Sequence, residues 1–155
     1  VLAAERARDG VSVPEILQEL DAWIQRGRIC FLLDTLEFLH RGGRIGAAQA
    51  FLGSLLRVKP VLHVVNGVIE PLDRARSPRK AIDRIVRYIR EEADDGPLPY
   101  AGLLFSTDRE MADRLRERID AEFEVGRWFV AEIGAVIGAH VGPSAIGVAF
   151  PARET

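Results

Sequence analysis

The chain has 155 residues, 48% hydrophobic and 28% charged, the balance of one globular domain and not of a disordered or fibrous protein. A domain of this size buries roughly 70% of the surface its unfolded chain exposes. The single Cys30 excludes an internal disulfide, and no Cys/His spacing has the form of a zinc site. No apolar run approaches the ~20 residues of a membrane span, and Val1–Arg6 lacks the basic-then-apolar order of a leader, so the expected setting is the cytoplasm. The first residue is not Met, and Val1–Arg8 reads as the end of an amphipathic helix, which marks the chain as an expected fragment.

In chain order, Ser12-Val13-Pro14-Glu15 is a capping box that opens a helix over about Val13–Gln25, with Ile16, Leu17, Leu20, Trp23 and Ile24 on one stripe. Gly27 ends it. Ile29–Leu33 is a continuous apolar run, as in a strand covered on both faces. Asp34-Thr35-Leu36-Glu37 repeats the capping pattern before a short helix that stops at Gly42-Gly43. Ala47–Leu56 is apolar almost all round, which predicts a helix that is buried or lines a cavity.

Val58–Val65 and Val68–Leu72 are strand-like runs joined by Asn66-Gly67, the pair a type I′ hairpin turn requires. Ser77-Pro78 starts a helix whose Ile82, Ile85, Val86 and Ile89 face inward, and Asp94–Pro99 is a loop. Tyr100–Phe105, a helix capped at Thr107-Asp108-Arg109-Glu110 with Met111, Leu115, Ile119 and Phe123 inward, and Trp128–Ile133 form a βαβ-like unit. Gly134–Gly147 is glycine-rich and reads as a turn, after which Ile146–Phe150 resumes the strand pattern. The expected fold class is α/β: helices packed on a mixed sheet that contains a hairpin.

Net charge is −2, but residues 41–80 hold eight Arg and Lys against two acids, a local +6 that leaves −8 elsewhere. Such a patch suits an anionic ligand or an acidic partner. The acidic remainder and the missing recognition signatures argue against nucleic acid.

Three segments have the residue types for chemistry. Gly42-Gly43-Arg44 joins a flexible backbone to a five-donor guanidinium, an arrangement suited to oxyanions or to a plain helix end. Gly138–Ser144 places His140 between small residues beside Gly142 and Ser144, where the imidazole either donates to a carboxylate or phosphate or simply bonds a nearby carbonyl. Arg74 and Arg76, at the hairpin exit, alternate as strand residues do and form either a docking face or a protected edge. His40 and His63 read as structural, and no catalytic set, metal set or cofactor motif is present in the sequence.

Together, Phe31–Leu39 with Arg41-Gly42-Gly43-Arg44-Ile45, Leu52–Leu62, Pro71–Arg76 and Ile137–Phe150 resemble the C-terminal half of the DegV family over about residues 12 to 150. The resemblance implies the C-terminal lobe of a two-lobed protein, with residues 1–27 a helical lead-in from the other lobe and 28–155 the main body. It further implies a carrier, not an enzyme. Such a protein holds one long-chain fatty acid and presents its carboxylate to a separate ATP-dependent fatty acid kinase. By the motif, His140, with Gly142 and Ser144 beside it, would meet the carboxylate, and Arg44, Arg76 and Arg74 would face the kinase or the new phosphate. Two departures stand out: Ser144 replaces a usual Gly, and the Ser and Thr hydroxyls of the other lobe are absent, so the chain carries half a site. An unpaired lobe is also expected to self-associate through its exposed apolar wall. The competing expectation is an enzyme or sensor for a small phosphorylated metabolite held at Gly42-Gly43-Arg44 and the turn at Gly142.

Overall fold

The computed structural model describes residues 1–54 and 58–153. Helices α1 (Leu2–Arg8) and α2 (Val13–Arg26) lead into β1 (Gly27–Leu32), followed by α3 (Glu37–Arg41), a 3-10 helix (Gly46–Ser54) and the hairpin β2 (Lys59–Val65) and β3 (Val68–Ala75). Then come α4 (Pro78–Ala93), β4 (Ala101–Phe105), α5 (Arg109–Asp120), β5 (Trp128–Glu132), α6 (Ala135–Val141) and β6 (Ile146–Pro151). Among the described residues no helix is long and apolar enough to cross a membrane.

The six strands form one mixed sheet in the order β3-β2-β1-β6-β4-β5. Only β4 and β5 run parallel, joined through α5 as the βαβ pattern predicts. The hairpin turns at Asn66 and Gly67, both at positive φ (50° and 78°), the backbone that Asn-Gly tolerates best.

Alternation sends the two faces of the sheet to different fates. Cys30, Leu32, Val61, Leu103, Ile146, Val148 and Phe150 meet α4 and α5 in the main core, where Ile85, Ile89, Leu115 and Ile119 are fully buried. On the opposite face a smaller core of Leu33, Leu36, Leu39, Ile45, Ala48, Phe51, Leu62 and Ala145 gathers under α3 and the 3-10 helix. Burial pushes the Cys30 thiol pKa up, so this cysteine packs as an apolar side chain.

Several expectations are corrected. The apolar segment predicted as a helix over Ala47–Leu56 is a 3-10 helix that buries Ala48 and Phe51 and leaves Ala47 and Ala50 exposed; Leu55 and Leu56 lie outside the described residues. The α2 stripe is largely uncovered: Ile16 is buried, whereas Leu17 and Ile24 are 56% and 71% exposed. Its N-terminal capping box forms as predicted, the Glu15 carboxylate accepting from the Ser12 N–H (3.1 Å) and hydroxyl (2.7 Å). α3 is capped from Leu36, with the Thr35 hydroxyl accepting from the Glu37 N–H (3.1 Å). α5 is capped by Asp108, which accepts from the Met111 N–H (2.9 Å), and not by Thr107. The Gly134–Gly147 segment contains a helix, α6, where a turn is expected.

Two predictions follow from the cores. Replacing Ile85 by Ala deletes buried methyl groups between α4 and the sheet, and chemical denaturation should record a loss of about 2–5 kcal/mol. His63 stands edge-on to Tyr88 (ring centroids 5.1 Å apart), and burial holds its imidazole below the ordinary 6.5. The unfolded chain therefore takes up this proton at higher pH than the native chain does. The contribution is complete above that value and is lost as pH falls through it. Denaturation at about pH 7.5 and about pH 5.5 should show a smaller acid loss for His63→Gln than for the parent; an equal loss would contradict this.

Candidate functional site

α6 is short, has three glycines within or beside it, and buries no side chain of its own. Its position comes from reciprocal packing on α3. A Cβ built on Gly42 would lie 2.2 Å from Nδ1 of His140, so the imidazole occupies the space a side chain at 42 would need. A Cβ on Gly142 would lie 2.5 Å from the Phe38 ring, and Gly142 sits at φ +83°. Each glycine accepts a ring from the opposite helix, and each is required for its contact.

The strand end beyond β4 fixes the exit of α6. Buried Ser106 donates its hydroxyl to the Gly142 carbonyl (2.8 Å) and its N–H to the Ala145 carbonyl (2.8 Å). Thr107 donates its hydroxyl (2.8 Å) and N–H (3.2 Å) to the Pro143 carbonyl. The Ser144 Oγ accepts from the Asp34 N–H (3.1 Å), and Asp34 is paired with Lys59 (2.5 Å). That contact uses an oxygen lone pair of Ser144 and leaves its hydroxyl proton to donate elsewhere.

His140 is half-buried, at the last turn of a helix and not in an open glycine turn. Its Nδ1 is sealed in without a hydrogen-bond partner. An unpartnered N–H there would be the costlier form, so we assign the ring proton to Nε2, on the accessible edge of the ring. An Nε2–H donor suits a carboxylate or phosphate oxygen.

The structure gathers some predicted residues and separates others. Gly42 joins His140 to Arg44, whose Nη1 donates to the Gly42 carbonyl (3.2 Å). Arg74 places its guanidinium 4.2 Å from the Phe51 ring centroid, over the smaller core. Arg76 is exposed just past β3 and, among the described residues, shares no hydrogen bond or ion pair with the others. The sequence reading did not pick out Phe38, Ser106 or Thr107, nor the packing role of Gly42. The sole signal for the first and last of these was the pairing of two glycine sites with two rings. His63 lies in β2 beside Tyr88 and His40 is exposed on α3 between Phe38 and Gly42, and among the described residues no group of His, Cys, Asp and Glu can hold a metal ion.

The sheet face that carries the smaller core is only partly covered. Cross-strand register aligns Val64, Ile29, Ala149, Gly102 and Phe129 in one row and Leu62, Phe31, Gly147, Leu104 and Ala131 in the next. The first row lines a cavity of about 910 Å³ roofed by Trp23 and Ile24 of α2. The second row leads toward α6, since Phe31 packs on the smaller core together with Val141. Ala149 and Gly102 at the centre of the first row, and Gly147 between Phe31 and Leu104 in the second, keep this face low between larger flanking side chains. The 3-10 helix, expected from its apolar composition to be buried or to line a cavity, contributes no described residue to the lining.

Comparison with known proteins decides the kinship. A family model described as an uncharacterised protein of the DegV family matches residues 1–153. The chain belongs to the DegV family. This DegV chain is 40% identical to the DegV protein of Bacillus subtilis over 149 residues, covering 96% of the chain and 53% of that protein. It is 42% identical to a DegV domain-containing protein of Streptomyces coelicolor over 154 residues, covering 97% and 54%. It thus spans about half the length of the curated relatives it matches. Its structure is similar to that of a Thermus thermophilus DegV protein described for its fatty acid binding, with TM-score 0.89 and 37% identity over 97% of this chain and 54% of that one. A DegV lipid-binding protein of Thermotoga maritima superposes with TM-score 0.88 at 26% identity, over 99% and 53% of the two chains.

If Gly42 makes room for the imidazole, Gly42→Ala must displace it. NMR of the His140 ring should show changed ¹H–¹⁵N shifts, with a stability loss of about 1–3 kcal/mol. Unchanged ring resonances would show that the space is not needed.

Proposed function

We propose that this chain is the C-terminal half of a two-lobed DegV protein that holds one long-chain fatty acid, with the carboxylate at His140 and the tail along the uncovered sheet face. The observation that carries this reading is the cavity of about 910 Å³ over Ile29, Ala149, Gly102 and Phe129, on the same sheet face as the smaller core against which Phe31 and Val141 of α6 pack. The carboxylate would meet the free edge of the His140 imidazole, whose Nδ1 is closed off. Each methylene removed from water contributes ~0.8 kcal/mol, so the tail dominates affinity and the head group fixes direction. An apolar channel of this kind favours an acyl chain over a small phosphorylated metabolite, which would need a polar enclosure on all sides. The fatty acid bound by the Thermus thermophilus relative supports the same assignment.

In this reading the chain catalyses nothing and needs no cofactor. Gly142 and Ser144 shape the head-group site, and a separate ATP-dependent kinase in the cytoplasm phosphorylates the carboxylate to an acyl phosphate. Arg44, Arg74 and Arg76, each from its own place, would meet the kinase or stabilise the transferred phosphoryl group. Residues 1–27 are the lead-in from the second lobe, which would also cover Leu17, Ile24, Val136 and Ile137, all more than half exposed in this chain. Alone, those surfaces would drive self-association.

Mass spectrometry of an organic extract of the purified full-length protein should find a long-chain fatty acid. His140→Ala should weaken its retention, whereas Arg76→Ala should keep the lipid and impair phosphorylation by the kinase. A full-length protein that is consistently empty would refute the proposal, and equal lipid loss in both variants would refute the division of roles.

A further inference from the structure

On the face of the molecule away from His140, α4 and α5 lie side by side and in parallel, with Asp83 facing Arg118 (3.4 Å) and Arg90 facing Glu122. Between them runs an open groove of about 860 Å³. Its floor is apolar: Ile82 and Val86 are nearly fully buried, and Met111 is partly so. Its walls carry five arginines, Arg79, Arg87, Arg90, Arg114 and Arg118, against two acids, Asp83 and Glu122.

The acids are already committed. Glu122 holds both Arg90 and Arg118, and Asp83 also faces Arg118. Arg79 and Arg87 are exposed and make no ion pair among the described residues, and Arg114 is held only by Glu110 one turn back on α5 (2.6 Å). The groove therefore keeps a surplus positive charge on a protein whose net charge is −2. A stable monomer has little reason to collect unpaired cations along an apolar slot, since like charges in a row repel.

We propose that the α4–α5 groove docks an acidic amphipathic segment of a partner protein. Carboxylates of the segment pair with Arg79, Arg87 and Arg114, and an apolar side chain rests on Met111 between Ile82 and Val86. Methionine suits this task because its unbranched thioether adapts to the shape of what covers it. The concave floor lies out of reach of a flat membrane surface. Asp83 and Glu122 would repel a continuous run of phosphates, yet discrete peptide carboxylates can be spaced to avoid them. The docking surface stands independently of the fatty acid site, because α4 and α5 pack on the opposite face of the sheet from α6.

The test is fluorescence anisotropy of the full chain with a short fluorescein-labelled peptide of alternating Glu and Leu. A single-stranded oligonucleotide and phosphatidylglycerol vesicles serve as competing probes. Saturable peptide binding is expected, weakening as salt rises. The double variant Arg79→Glu with Arg87→Glu should bind roughly tenfold more weakly, with unchanged thermal stability since both side chains are exposed. Met111→Ser should also weaken the peptide, as loss of charge pairing alone would not predict. Absence of saturable binding, binding indifferent to the charge reversal, or equal affinity for the oligonucleotide or vesicles would overturn the proposal.

Discussion

The seating of two aromatic rings on two glycines, His140 on Gly42 and Phe38 on Gly142, fixes α6 against α3. α6 has seven residues, none of them buried, too little to form a stable helix alone. It holds its place because α3 offers a gap at Gly42 and receives one at Gly142, while Ser106 and Thr107 pin the carbonyls at its exit. The same contact that closes the Nδ1 edge of the imidazole leaves Nε2 as the edge that can meet a ligand. Packing thereby sets both the position and the hydrogen-bonding sense of the side chain.

The sheet supplies the second constraint. Antiparallel pairing of β1 and β6 and of β6 and β4 brings Ile29, Ala149 and Gly102 into register on one face and Cys30, Val148 and Leu103 on the other. On the second face large side chains interlock with α4 and α5 and give the domain its stability. On the first, glycine and alanine keep the surface low, and α2 covers one end through Trp23, whose ring meets Tyr100 edge-on at 5.9 Å. One sheet thus separates a rigid support from an open apolar channel. A ligand that fills the channel would remove apolar surface from water without repacking the core.

Much of this architecture is legible from local chemistry. Asn66-Gly67 names its own turn, and the strong periodicity of α4 and α5 follows from helices that bury one face and expose arginines on the other. The alternation of strand and helix patterns gives the mixed sheet, and the DegV resemblance adds His140 as an expected head-group contact. What escapes the sequence depends on long-range packing. α6 is hidden because three glycines outweigh helix propensity until α3 is in place. The 3-10 helix is hidden because its apolar composition exceeds what the smaller core can accept. Thr107 looks like a cap, whereas its hydroxyl is taken by Pro143, more than thirty residues away in sequence. The basic run 41–80 divides in space, Arg44 turning to Gly42 and Arg74 to Phe51, so charge along the chain does not amount to one surface.

The central claim is that the accessible nitrogen of His140 terminates an acyl channel. The most direct measurement is a crystal structure of the full-length protein grown with a long-chain fatty acid. It should show a carboxylate oxygen within hydrogen-bonding distance of His140 Nε2, with Nδ1 still against Gly42 and the tail over Gly147, Ala149 and Gly102. A carboxylate bound away from His140, or a tail buried among α4 and α5 instead of on the uncovered face, would contradict it.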